Sequence, residues 1–496
     1  MKIFRTSIIL LFILLLVSVS LQSQEKSFEY LLATELDEVA YDIYEDTTEH
    51  NYVLTGSTQN SGLNHWKGLF IRISDEGSFI DSVTISDNSQ SYFMHTIVKG
   101  FNDSLVFYGV KYDTGVFHTE HRNLSLVFYI TETDFLPIDT ILFPISDSYY
   151  YFQSYIRKLS NNKLIALGSI VDTVYHVSRP NFFLYEFSES FDSVRLIIWH
   201  DSLGSGQDIK LREDGNYWAI INGFDTYRPH YYTLDTSYNI LSKEIVPNSV
   251  TDPFGIKWDS DSTFYITGEW NGGPDDDIGF MYQLQTNSED SVECNFNSWG
   301  TIDSLDLPAV KGGLDFNDKD SIFIGGMALW FGNFLPVSNW FFILQTDSLL
   351  NIRWERFYGG DAYYTMWKLI ATSDGGCIAA GSRYDYLNTD KQQRDLYVLK
   401  LNKEGLLVGD IESPNIQMQE AIVFPNPGTN ELKVRIAAQY PNSVFELYDL
   451  SGKLVLTKSI AGKWGEVNTS FLPSGAYIYR VFNADGLFET GKWVKR

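Results

Sequence analysis

Seven times along the middle of this chain, a short apolar strand runs into a glycine or its stand-in. The run reads Tyr52-Val-Leu-Thr-Gly56, Leu105-Val-Phe-Tyr-Gly109 and Leu164-Ile-Ala-Leu-Gly168. It returns as Phe264-Tyr-Ile-Thr-Gly268, Ile322-Phe-Ile-Gly-Gly326 and Cys377-Ile-Ala-Ala-Gly381, with Tyr217-Trp-Ala-Ile-Ile-Asn222 as a degenerate copy. Gly56 to Gly381 spans 325 residues in six steps, a mean period of about 54. Self-similarity at a fixed period of tens of residues marks a solenoid, a propeller or an array. A partner strand repeats in step, as Leu69-Phe-Ile-Arg-Ile73, Leu126-Val-Phe-Tyr-Ile130 or Leu396-Tyr-Val-Leu-Lys-Leu401. Polar turns such as Ser74-Asp-Glu-Gly77 follow it, and then a weaker strand. Another weak strand precedes each glycine strand through Asn161-Asn162, Asp214-Gly215 or Asp374-Gly375. Such pairs accept the positive φ of hairpin turns.

Four antiparallel strands repeated seven times predict an all-β, seven-bladed β-propeller over residues 28–410. Two packed β-sandwiches would also use short strands, but they do not require one period to persist so far. Composition agrees. The 34 Phe, 31 Tyr and 12 Trp favour strands and supply bulk for contacts between blades. Two cysteines, Cys294 and Cys377, cannot staple a scaffold, and both read as buried thiols. A net charge of −26 opposes binding to a phosphate backbone, so nucleic acid is not an expected partner. The seventh repeat, from Trp354-Glu-Arg-Phe-Tyr-Gly-Gly360 to Asp395-Leu-Tyr-Val-Leu-Lys400, resembles propeller repeats of exported Bacteroidota proteins.

The two ends differ from the middle. Lys2 and Arg5 precede an apolar run from Ile8 to Val19, then small and polar residues. That is the pattern of a secretory signal peptide over residues 1–23, cut between Ser20 and Gln24. The run is too short for a membrane-spanning helix, which needs about 20 residues. No membrane span is expected in the mature chain. Residues 411–420 read as a linker. Residues 421–496 carry 9 Lys/Arg against 6 Asp/Glu. With +2 in the signal peptide, this leaves −31 for the segment between, which supports a domain boundary. Short alternating strands in the tail predict a small Ig-like β-sandwich.

Four tail motifs stand in order: Phe424-Pro425-Asn426-Pro427, Leu447-Tyr-Asp-Leu-Ser-Gly452-Lys, Leu472-Pro-Ser-Gly475-Ala-Tyr477 and Lys492-Trp-Val-Lys495-Arg496. Together they resemble the type A C-terminal sorting domain of the type IX secretion system. The resemblance implies a Bacteroidota source and export to the outer-membrane surface or the medium. The implied partners are the type IX machinery and its sortase-like peptidase, which would remove the domain near residues 412–421.

Function in the propeller is expected on the long loops after each glycine strand, because loops on a rigid scaffold commonly carry binding residues. Those loops hold Trp66, His118, His121, His176, Trp270, Trp330 and Tyr384 as candidate contacts for a glycan or a protein. The same residues could simply pack the loops. His118-Thr-Glu-His121 lacks zinc-helix spacing and a third ligand, and Asp275-Asp276-Asp277 lacks the spacing of a calcium loop. No metal or cofactor is expected. Catalytic elbows, phosphate loops and dinucleotide fingerprints are absent from the sequence. Thr372-Ser-Asp-Gly-Gly376 half-matches the Asp box of sialidases. Asp-Ser/Thr-aliphatic triplets such as Asp81-Ser-Val83 resemble the O-glycosylation pattern of Bacteroidota, and they also suit turn ends. The leading expectation is non-catalytic binding. The alternative is an extracellular polysaccharide hydrolase or lyase using carboxylates on the long-loop face.

Overall fold

The computed structural model describes residues 26–60, 65–87, 89–113, 123–145, 149–172, 181–188, 194–223, 228–246, 250–260, 263–270, 277–284, 293–301, 305–330, 336–388, 393–407, 418–484 and 486–496. Every regular element among them is a strand. Blade one is Leu36–Asp46, Asn51–Asn60, Lys67–Ser74 and Phe79–Ile85, paired antiparallel in that order. Blade two repeats the meander from Gln90–Lys99 to Pro137–Pro144. Blades three and four share one strand of 18 residues, Val194–Leu211. Its first half ends blade three and its second half opens blade four. Blade five runs from Thr251–Trp258 to Glu293–Trp299.

Blade six lacks a regular inner strand. Leu307–Pro308 and Leu314–Asp315 take its place against Ile322–Ala328. Blade seven has three strands from its own repeat: Tyr363–Ala371, Cys377–Tyr384 and Asp395–Leu401. Its fourth is Phe28–Leu32 from the start of the propeller segment, antiparallel to Asp395–Leu401. The ring therefore closes by joining sequence positions about 370 residues apart, in pairs such as Phe28↔Lys400.

The repeat glycine has a steric cause. In blades one, two and seven the inner strand carries a β-bulge opposite Gly56, Gly109 and Gly381. The bulge pushes a backbone carbonyl toward the glycine strand. A Cβ at those positions would lie well under 3.0 Å from the oxygens of Val39, Phe93 and Thr365. Only glycine tolerates that approach. Blade four shows the compensation. Ile221 takes the glycine's place in the ladder, and glycine appears across from it as Gly206.

Aromatic side chains fill the space between blades. Phe70 of blade one packs on Phe107 and Tyr129 of blade two at 4.1 and 5.2 Å. Trp299 of blade five stacks on Phe342 of blade six at 4.0 Å. Cys377 is a buried free thiol whose pKa burial pushes up to about 12. In a Cys294→Ser background, a thiol reagent is expected to leave the folded protein unlabelled at pH 8 and to label it on unfolding. Labelling in the folded state, read by mass, would contradict that burial.

After the propeller, three strands (Ala421–Phe424, Glu431–Ile436, Trp464–Asn468) face four (Leu454–Ile460, Ser443–Asp449, Gly475–Asn483, Gly486–Lys495). Leu432, Val434, Phe445, Leu447, Val481 and Trp493 form the core of this sandwich. Both X-Pro bonds of Phe424-Pro-Asn-Pro427 are cis.

Candidate functional site

A bulge adds one residue to a strand and re-aims its side chain. In blades one, two, four and seven the added residues are Tyr41, His95, Gln207 and Trp367. Blade five steps twice, around Asp252 and Phe254. Blade six contributes Lys311 from the turn between its two short strands, fixed by Lys311 N donating to Trp367 O at 2.7 Å. Tyr41, His95, Trp367 and Lys311 meet at the centre of the ring. The Tyr41 ring lies 4.8 Å from Trp367 and 5.7 Å from His95. Lys311 Nζ sits 5.3 Å from the centre of the Tyr41 ring and 3.4 Å from His95 O. Four blades, including two on opposite sides of the ring, thus touch through this cluster.

Its electrostatics are unusual for a core. Lys311 is 8% exposed, and no carboxylate among the described residues pairs with it. Burial pulls its pKa down to about 7; nearby Asp42 opposes the shift and Lys368 reinforces it. Asp42 is occupied by the backbone N–H groups of Ile43 and Ile97, at 3.0 and 3.1 Å. Burial, aided by the Lys311 charge, holds the His95 pKa well below the usual imidazole value, so the ring is neutral. His95 Nδ1 and Trp367 Nε1 are buried without a hydrogen-bond partner among the described residues. On another side of Lys311 a cavity of about 20 Å³ is lined by Tyr155, Arg157, Gln207, Phe254, Lys311 and Lys368. Such a space holds about one water molecule. Arg157 is neutralised there by Asp208 at 2.7 Å.

The inner strands begin on the long-loop face, because they run antiparallel to the strands that end in those loops. At the seam between blades seven and one, this places Asp37 and Glu38 beside Arg394 and Asp395. Glu38 N donates to Arg394 O at 2.9 Å. Arg394 holds Asp37 through Nε–Oδ1 and Nη2–Oδ2 contacts of 2.9 and 2.8 Å. Its guanidinium lies 5.9 Å from the centre of the Trp66 ring. Burial raises the Glu38 pKa to about 7, helped by Asp395 and Asp37 and opposed by a hydrogen bond from Thr34. Burial likewise raises Asp395 to about 6, against the pull of Arg383.

The loop candidates fall in several places. Trp66 is half-buried and packs on Phe93 at 5.1 Å. Trp270 is half-buried against Phe296 at 4.5 Å. Trp330 is half-buried against the core shared by blades six and seven. Tyr384 is buried beside Tyr386. His118, His121 and His176 lie outside the described residues, as do Asp275 and Asp276. Asp277 closes its loop: its carbonyl accepts from Trp270 N and its carboxylate accepts from Asp306 N, at 2.6 and 3.0 Å. Reading loops alone missed the axial ring. Its signal was an aromatic or polar residue 14 or 15 positions before a repeat glycine, as in Tyr41, His95 and Trp367.

The tail motifs also converge. Asn426 Nδ2 donates to Lys492 O at 2.7 Å, and Val494 N donates to Asn426 Oδ1 at 3.0 Å. Trp493 Nε1 donates to Pro425 O at 2.9 Å. Pro427 is followed by Gly428, whose N donates to Val494 O at 2.9 Å. Gly452 takes a positive φ of 83° in its turn. Tyr477, two residues past Gly475, donates to Pro473 O at 2.7 Å. Lys495 is buried and donates to Thr469 O, whereas Lys492 and Arg496 are exposed. Residues 422–496 match the family described as the secretion system C-terminal sorting domain. The C-terminal sandwich is a type IX sorting domain.

The sorting domain directs the chain to the type IX machinery and to the cell surface or extracellular space. No helix among the described residues is long and apolar enough to cross a membrane. No curated protein matches the chain in sequence. Among solved structures it is similar to PorZ, an essential surface component of the type IX secretion system of Porphyromonas gingivalis. That match has 9% identity, covers 92% of this chain and 86% of that one, and has a TM-score of 0.26. The Dos1 propeller is similar at 9% identity over 75% and 95% of the two chains, with a TM-score of 0.41. The β-propeller domain of the Trilobed protease from Pyrococcus furiosus is similar at 9% identity over 81% and 93%, with a TM-score of 0.33.

Proposed function

We propose that this is an exported binding protein whose propeller recognises a glycan or a protein segment on its long-loop face, without catalysis. The supporting observation is the seam between blades seven and one. There a half-buried indole, Trp66, carries an arginine whose fork is already fixed by Asp37. An aromatic face beside a preorganised donor suits a sugar ring or a peptide, because little side-chain entropy remains to be lost on binding. The half-buried Trp270 and Trp330 extend the proposed contact surface, and Tyr384, His118, His121 and His176 are proposed as further contacts. Trp66→Ala is expected to weaken binding on a polysaccharide and peptide array at least about tenfold, with little change in melting temperature. Equal binding by the wild type and the variant would remove this seam from recognition.

A second reading rests on the two carboxyl groups with raised pKa at the same seam, Glu38 and Asp395. Such groups cluster at sites of acid–base chemistry. If they act on a glycan, product appears from a polysaccharide panel and Glu38→Gln abolishes it. Binding without product, in wild type and variant alike, supports the non-catalytic reading.

A further inference from the structure

The sorting domain is joined to the propeller by more than the chain. Glu355 lies in the outer strand of blade six, Ile352–Gly359, and is fully buried. Its carboxylate has no partner within its own strand. Trp299 Nε1, at the end of blade five, donates to Oε2 at 2.8 Å. Arg435 of the sorting domain donates from Nη1 to Oε1 at 2.8 Å and from Nη2 to Oε2 at 3.1 Å. The guanidinium lies between two indoles, 5.4 Å from the centre of Trp299 and 5.1 Å from that of Trp464. Gln439 then exchanges hydrogen bonds with the Glu355 backbone, at 3.3 and 3.2 Å.

Apolar burial surrounds this clamp. Ile422, Phe424 and Ala437 share one core cluster with Trp299, Phe342 and Phe357 of the propeller. Met418–Gln419 adds a strand to the edge of blade six, in the register Phe357↔Gln419 and Tyr358↔Met418. Trp340 Nε1 fixes it by donating to Gln419 Oε1 at 2.7 Å. A continuous core with a fully buried, bidentate ion pair is the character of a lasting interface. Leaving either charge buried without the other is strongly unfavourable.

We propose that the sorting domain is a docked ligand of blade six and remains there after the chain is cut within residues 408–417. Backbone cleavage alone then does not part the cargo from its sorting signal. Release requires a competitor for the Glu355 slot or a condition that opens it. This rests on the identity of the tail and is independent of what the long-loop face binds.

The test uses the full-length chain with a protease recognition site placed within residues 408–417. After cleavage, size-exclusion chromatography at roughly micromolar protein is expected to return both fragments in one peak. Arg435→Ala and Glu355→Gln are each expected to weaken the association about a hundredfold or more, so that the fragments separate. Circular dichroism of the uncut variants establishes that they fold. The wild-type arm stands without any variant: separation of its fragments, each keeping its β-sheet spectrum, overturns the proposal. Co-elution that persists in both folded variants also overturns it, because the slot would not be what holds the domain.

Discussion

Gly381→Ala is expected to destabilise the propeller by about 3–5 kcal/mol, well beyond the usual cost of a point substitution. The added methyl would meet Thr365 O at a distance that real Cβ atoms do not adopt, and that oxygen belongs to a bulged inner strand. The strand cannot retreat cheaply. Backbone bonds on either side hold it to Cys377–Tyr384, and the Trp367 carbonyl accepts from Lys311 N. Gly109→Ala should behave alike against Phe93 O. Gly462→Ala is the control, because no atom lies within 4 Å of its Cβ position and its φ is not in the left-handed region. Urea titration should move the midpoint sharply for the first two and little for the third. A small shift for Gly381→Ala would mean that the bulge is not fixed, and the steric account of the repeat would fail.

That account explains why so much of the fold could be read from the chain. The bulge makes the glycine obligatory, and the glycine is visible at a period of about 54. Where blade four moves the glycine to Gly206, the repeat looks degenerate, although the ladder keeps its shape. Other features left no local trace. Phe28–Leu32 resembles any short apolar strand, and its pairing partner lies about 370 residues away. Leu307–Pro308 and Leu314–Asp315 are too short for a periodicity to show. Among site residues, Trp66 was legible because it stands in a long loop. Tyr41, His95 and Trp367 were not, because within a strand the face a side chain takes depends on where the bulge falls. Glu355 and Arg435 stand 80 positions apart in the chain, so nothing local marks them as partners. Only the docking of one domain on the other makes them a buried pair.

Lys311→Met is expected to stabilise the protein, by about 2–4 kcal/mol at pH 6, despite removing the buried charge from the axial cluster. The drop from 10.5 to about 7 corresponds to roughly 5 kcal/mol lost by the ammonium on burial. Methionine keeps much of the stem and has nothing to desolvate. Part of the gain is offset by losing the contact with the Tyr41 ring, worth about 1 kcal/mol. The sign of the pH dependence follows from the direction of the shift. Between pH 7 and 10.5 the folded state binds fewer protons at Lys311 than the unfolded state, so wild-type stability rises with pH there. Below pH 7 the penalty is complete and constant. Raised carboxyl groups at Glu38, Asp306 and Glu489 act in the opposite sense, lowering stability as pH rises through about 7. The buried Cys377 thiol and the tyrosines raised by burial do the same at higher pH, once their unfolded counterparts ionise. The variant keeps all of these groups, so the difference between wild type and Lys311→Met isolates Lys311. Urea titrations should show that difference at its largest at pH 6 and shrinking from pH 7 to 10, so that the two curves approach one another. A difference that stays constant across that range would mean that folding does not favour loss of the Lys311 proton, and no difference at pH 6 would mean that the buried ammonium is fully compensated.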